Sequence, residues 1–435
     1  MRQLVVFDRT RHEISRMARI GISGGLPLQE PLHRQRVFRI FLAGETVSAL
    51  GSQVSAVALP LTAVLALHAH AFQMGVLFAA FSFPYLIVSL PAGAWLDRKR
   101  RQPILLAANI GAAAALLVIP VAHWAGVLSI GMLYVVAVVV GSLTVLIGTA
   151  YQAFVPAIAA RSELVDANTA LEASRASART GGPAVGGLLV QALGAPLAVL
   201  FDSFSYLVAV LSIASLGTRE DAPAPASRLL AAEIGVGVSA VITDSQLRSN
   251  AASSAITNCA LAAIDAIFVL YMHNRLHASA LLIGLVLAVG NAGFLLGVLA
   301  ARRSAQRVGS GTSVAIANAT TLLGALLLPV LTGPRALAIA VIMLGRALIG
   351  AGETVYTINQ LSQRQLITPV HLLGRINATV RLLAGAGLTL GALAGGALAA
   401  AAGMRLTLIV ASLVLVPSIA WAVTAARAES RLAAA

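Results

Sequence analysis

The sequence predicts an all-α membrane protein of twelve transmembrane helices, arranged as two six-helix bundles related by a pseudo-twofold axis. Three observations lead there. Of 435 residues, 58% are hydrophobic and 11% charged, whereas soluble domains carry about a quarter charged residues. Many apolar runs are long enough to cross about 30 Å of hydrocarbon at about 1.5 Å per residue. The chain also repeats itself: shifted by 209 residues, Gly75 falls on Gly284, Arg98 on Arg307, Asn109 on Asn318 and Asn168 on Asn377 without a gap. Gly182 falls likewise on Gly391, Gly186 and Gly187 on Gly395 and Gly396, and Gly194 on Gly403. A duplication of half the chain, in a sequence this apolar, describes two bundles with a site between them.

The elements follow in order. A polar, basic tail occupies residues 1–37 and is not apolar enough for a cleaved signal peptide. The N-terminal bundle, 38–216, holds spans at 38–66, 72–95, 103–123, 127–155, 164–194 and 196–216. A linker, 217–249, opens with Pro223 and Pro225 and then suits a moderately amphipathic helix from Ser227 to Arg248. The C-terminal bundle, 250–426, holds spans at 250–272, 279–303, 312–331, 335–362, 372–402 and 404–426, and residues 427–435 form a second tail. Pro60, Pro91, Pro183 and Pro329 lie inside spans, where neighbouring groups re-satisfy the backbone.

Orientation comes from the positive residues. The tails, the linker and the loops on their side hold 23 arginines and lysines; the opposite loops hold only Arg275, Arg335 and Arg405. Positive loops stay inside, so both termini and the linker are expected in the cytoplasm, with the chain in a bacterial inner membrane. The formal net charge of +14 is thereby explained without nucleic acid. Cys259 is the single cysteine, so no intrachain disulfide and no cysteine-based metal site is expected. His68 and His70 share a loop but make too small a ligand set for a metal centre. No Walker loop and no soluble catalytic constellation is present, so neither an enzyme, a cofactor nor direct ATP drive is expected.

Two motifs carry more. Gly93-Ala-Trp-Leu-Asp97-Arg98-Lys-Arg-Arg101 resembles the signature loop of the major facilitator superfamily, with Arg100 where that family often has glycine. In the second half Gln306 stands opposite Asp97, and Arg307 is retained. Gly181-Gly182-Pro183-Ala-Val-Gly186-Gly187 resembles the glycine–proline core of the superfamily's drug:proton antiporters. Ala178 and Thr169 replace two glycines of the full motif, which weakens the implication of efflux. Small residues allow close helix approach and proline bends the helix, as a rocking gate requires. The segments 164–175 and 373–381 resemble a bacterial efflux branch that includes macrolide-efflux-like and siderophore-exporter-like proteins. The resemblance covers residues 35–425 and implies the major facilitator fold. It also implies inter-bundle gating by Gly93, Asp97, Arg98, Arg101, Gly182, Pro183, Gly186 and Gly187.

Polar stripes mark a pathway. Glu45, Ser48, Ser52, Ser55 and Thr62 share a face of the first span; Ser254, Asn258 and Asp265 share one in the seventh. In the tenth, Arg346, Gly350, Glu353, Thr357 and Gln360 align, while the fourth is blander. The resemblance implies that these four helices line the central cavity; hydrogen bonding between helices, without substrate contact, is the alternative. Ionisable groups at membrane depth must be paired, neutralised or wet. The proton and substrate residues are therefore expected among Glu45, Ser48, Ser52, Asn258, Asp265, Arg346 and Glu353. Glu45, Asp265 and Glu353 are the carboxylates among them, and Arg346 can reach Glu353 or a third group. Asp202, near the outer end of the sixth span, is expected to be structural. Antiporters of the superfamily often place arginine before glycine in the fourth span; here Ala137 and Gly141 stand there, and the pattern moves to Arg346 and Gly350. Together these imply a monomeric secondary transporter in the lipid bilayer, exporting an amphiphilic or apolar small organic molecule in exchange for protons. A facilitator, lipid mover or importer is the alternative on this fold, and a non-transporting sensor or assembly partner the remote one.

Overall fold

The computed structural model describes residues 36–96, 99–159, 163–216, 230–330, 334–369 and 372–423, and no strand occurs among them. Asp97 and Arg98 lie outside the described residues, as do most of both tails and the first part of the linker. Twelve crossing segments follow one another. The first six run over Arg36–Ala66, Ala71–Leu96, Arg101–Trp124, Ile130–Ile158, Leu164–Leu193 and Ala195–Ala214. The last six run over Ser245–Leu276, Ala280–Val308, Ser310–Leu327, Arg335–Ile367, Leu373–Ala402 and Met404–Val423. Ten are long and apolar enough to cross a membrane by length and composition. The second is not, because its helix is interrupted at Val88, ending at Ile87 and restarting at Ser89. The fifth carries Asp166, Glu172, Arg175 and Arg179 in its first half. At 30 residues it is about 45 Å long, so its first turns reach beyond the hydrocarbon.

Several helices outrun their apolar stretch. The seventh starts at Ser245, not 250, and the tenth continues to Ile367, not 362. The linker helix, Leu230–Thr243, stops short of Arg248. Asp244 ends it by capping the next helix, its Oδ1 accepting from the Gln246 and Leu247 amides at 2.8 and 2.9 Å. The linker helix then lies on the eleventh span, where Val241, Leu247, Ile376 and Val380 form a small core.

Packing reproduces the repeat. Span 1 packs against 5 and 6, span 3 against 4 and 6, and span 2 against 4; in the second half 7 packs against 11 and 12, 9 against 10 and 12, and 8 against 10. Gly194 and Gly403, 209 residues apart, both turn the chain at positive φ, +85° and +87°, where a Cβ would be strained. Gly141 and Gly350 do the same work in the two halves. A Cβ on Gly141 would meet the Phe81 carbonyl at 2.5 Å, and one on Gly350 would collide with the Gly290 carbonyl. Outward-facing Phe204, Leu211, Leu299 and Leu390 are more than half exposed, as lipid-facing side chains are.

The halves join mainly through spans 2 and 11 and through spans 5 and 8, with span 7 also touching span 2. Among the described residues, spans 4 and 5 make no substantial contact with spans 10 and 11. One end of the molecule carries the joints 67–70, 125–129, 194, 277–279 and 403; the other carries the linker. The tightest contacts between halves lie near the short-joint end. There Gly75 meets Gly396, and Gly187 meets Gly284. A Cβ on Gly75 would stand 2.6 Å from the Ala392 carbonyl, and one on Gly187 would stand 2.5 Å from the Ala280 carbonyl. Residues 75 and 284 are repeat equivalents, as are 187 and 396, so the duplication has built one contact twice, crosswise.

Candidate functional site

Beneath these two contacts lies a cavity of ≈ 350 Å³. Its wall is mostly apolar, with Met74, Leu77, Phe78, Phe81, Phe268 and Leu287. Its polar groups gather at two poles. On the C-terminal half, Asp265 of span 7 and Arg346 of span 10 pair at 2.6 Å (side chains 38% and 14% exposed), and the Arg346 guanidinium lies 4.8 Å over the Phe268 ring. On the N-terminal half, Asp202 and Tyr206 of span 6 face Ser52 and Ser55 of span 1. Tyr206 and Ser52 hydroxyls lie 3.4 Å apart, and Ser205 donates to the Asp202 carboxylate at 3.1 Å.

The repeat breaks at both poles. Asp265 and Arg346 are the equivalents of Ala56 and Ala137, and all four line the cavity. Asp202 has Ala411 as its equivalent and Ser55 has Ile264. Identical backbones thus carry different chemistry on the two walls.

Of the polar-stripe residues singled out from the sequence, Ser52, Ser55, Asp265 and Arg346 reach the cavity wall. Glu45 does not: it sits nearer the linker end of span 1, its side chain 8% exposed, ion-paired to Arg175 of span 5 at 2.9 Å. Ser48 is buried off the wall, and Asn258 spends its amide on the Ser254 carbonyl one turn back, at 2.8 Å. Glu353 is exposed, two turns from Arg346 toward the linker end, and has no ion pair among the described residues. Its electrostatic neighbours are Asp265, Arg346 and, from the other half, Arg179. The polar face of span 10 is therefore not one surface. Gly350 packs on span 8, and Gln360 bonds Asn250 of span 7, donating to its carbonyl at 2.9 Å.

The glycine motif of span 5 also divides. Gly182 and Gly186 fit against Gln53, Val54 and Val57 of span 1, within the N-terminal half. Only Gly187, with the Pro183 carbonyl, touches span 8 across the seam. Pro183 in addition lines the cavity. Gly93 lies in the short helix after the break of span 2, and Arg101 opens span 3. Sequence reasoning missed Asp202 because it stands off the stripes of spans 1, 7 and 10. Its only sequence signal was a carboxylate inside an apolar span.

A family model described as "Transmembrane secretion effector" matches residues 29–432. No curated protein matches the chain by sequence. Among solved structures, the nucleoside transporter NupG superposes with a TM-score of 0.72 at 11% identity, covering 89% of this chain and 98% of that one. A bacterial homologue of the iron transporter ferroportin, in an inward-facing state, gives 0.68 at 15% identity over 89% and 98%. A bacterial homologue of the human lysosomal transporter Spinster, inward-facing and unoccupied, gives 0.66 at 14% identity over 90% and 98%. At these identities the likeness speaks for the fold.

Proposed function

Because the chain belongs to the transmembrane secretion effector family of the major facilitator superfamily, we propose that it is a proton-coupled exporter of an amphiphilic or apolar small organic molecule. Family and neighbours are membrane transporters rather than enzymes. The observation that carries the reading is the cavity on the seam between halves, closed at the short-joint end by two equivalent glycine contacts. Breaking both contacts together, while spans 4 and 5 close on 10 and 11, would open the cavity to the opposite side. Such a rocking motion needs a seam with few side-chain locks: glycine backbones against carbonyls make the close contacts, and the side-chain bonds across it are Asn291 to the Arg179 carbonyl, the Leu281 amide to Gln191, and Ser82 with Thr389.

The positive-residue asymmetry supports an inner-membrane location with both tails and the linker cytoplasmic. On that topology the cavity here faces inward, ready to load from the cytoplasm or the inner leaflet. Residues 38–216 and 250–426 would be the rocking units, joined by the linker, with one chain sufficient. Coupling needs a group that gains and loses a proton during the cycle. Asp265, tied to Arg346 at the cavity wall, and Glu353, two turns from Arg346, are the carboxylates for that role. Glu45, sealed against Arg175, holds spans 1 and 5 together. Asp97 and Arg98 belong to the gating set that the signature-loop resemblance implies.

Purified protein in liposomes tests this. Substrate-dependent proton flux out of step with any imposed membrane leak is the expected result. Substrate movement without proton movement would replace the antiporter with a facilitator. Proton-linked movement only in the reverse direction would make it an importer.

A further inference from the structure

The charged groups lining the cavity do not balance. Asp265 is neutralised by Arg346 at 2.6 Å. Asp202 is 1% exposed, and no ion pair reaches it among the described residues. Its hydrogen-bond partner is the Ser205 hydroxyl at 3.1 Å, which also bonds the Asp202 carbonyl at 2.8 Å. Beside it on the wall, the buried Ser55 hydroxyl lies within reach of the same carboxylate. Gly51 leaves room for the carboxylate under span 1, since a Cβ there would stand 2.7 Å from the Asp202 Oδ1. The same wall is apolar elsewhere, with Phe78 and Phe81 opposite. A carboxylate taken out of water and given no cation is costly to keep charged. A proton or a cation must supply the missing charge, and a cavity of ≈ 350 Å³ has room for a cation that carries an apolar body.

We propose that Asp202, with Ser55 beside it, is the charge-selecting pole of the cavity, and that the molecule carried is a monovalent organic cation with a large apolar body. The apolar wall takes the body, Asp202 takes the charge, and the Asp265–Arg346 pair keeps the far pole neutral. Arg179 and Arg381 are exposed and lie toward the linker end, outside the wall; they do not compensate Asp202. An anion of the same shape meets an unpaired carboxylate and is refused.

The proposal rests on the export reading of this cavity, and its test separates the two. Tetraphenylphosphonium and tetraphenylborate have the same shape and opposite charge. Equilibrium dialysis of each against the full-length protein in nanodiscs, on the alkaline side of neutral, is expected to show at least about a tenfold preference for the phosphonium, equivalent to about 1.4 kcal/mol. Asp202→Asn is expected to weaken phosphonium binding about thirtyfold or more, whereas Asp202→Glu keeps the preference. Equal binding of the two ions, preference for the borate, or binding of neither by the unmodified protein overturns the assignment, as does undiminished phosphonium binding by a monodisperse Asp202→Asn. The comparison on unmodified protein stands even where a variant fails to fold. Loss of the charge preference with intact substrate-driven proton flux sinks the cation pole alone. Preserved preference with no flux sinks the export reading alone.

Discussion

Gly187→Ala is the smallest perturbation that reaches the seam. The new methyl would stand 2.5 Å from the Ala280 carbonyl oxygen, 3.0 Å from the Leu281 Cα and 3.1 Å from the Gly284 Cα. Ordinary contact needs about 3.5 Å, so span 5 must retreat from span 8 by about 1 Å. All three obstacles are backbone, and no flexible side chain can give way. Overpacking of this kind costs about 1–3 kcal/mol. That cost falls only on the state in which the short-joint end is closed, because the opposite state has no such contact. The ratio of the two states should therefore move about five- to 150-fold toward the open short-joint end. Spin labels at Val127 and Leu337, both more than half exposed, report on that end from opposite halves, after Cys259→Ser removes the native thiol. The expected result is a second, longer distance in the Gly187→Ala protein. Gly181→Ala is the control: it lies on the same helix, but a Cβ there meets nothing within 4 Å, so the distance distribution should not change. Identical distributions in Gly187→Ala and the parent, with unchanged thermal unfolding, would refute the claim that this contact holds the end shut. By the repeat, Gly75→Ala should act the same way, and the double variant should add to either.

Three further outcomes are expected. Arg346→Ala and Asp265→Asn each break a charged hydrogen bond of 2.6 Å and should each cost about 1.5–3 kcal/mol in thermal stability, while the double variant costs less than the sum; additive losses would show that the two do not act as a pair. Arg175→Ala leaves Glu45 buried without its cation and should destabilise by about 3–5 kcal/mol, whereas Glu45→Gln with Arg175→Met should be milder, read by unfolding in detergent. Reporter fusions after Ala222 and Ala435 should respond as cytoplasmic, and a periplasmic response at either would reverse the orientation argued from the arginines.

Span number and order were legible in the sequence because a bilayer leaves few solutions. Every backbone polar group must be satisfied inside the segment, so an apolar run of sufficient length becomes a helix. A gapless repeat then forces the two halves into the same packing, down to Gly141 and Gly350 against their carbonyls. The site was only half legible. Helical periodicity sorts residues by face, and it delivered Ser52, Ser55, Asp265 and Arg346 to the cavity. It carries no information on depth or on which neighbour covers a face, so Glu45 and Glu353 stood in line with cavity residues yet lie off its wall. Nor does it reveal a partner from a distant span: that Asp265 meets Arg346, that Glu45 meets Arg175, and that Asp202 meets no cation among the described residues depended on how helices separated by up to 130 residues come together. Glycines showed the same division. The sequence marked Gly75, Gly187, Gly284 and Gly396 as equivalents, because backbone contact tolerates no side chain at any of them. Only the docking of one half on the other decided that they meet crosswise, since a seam between two rigid bundles is set by the shape of both surfaces together.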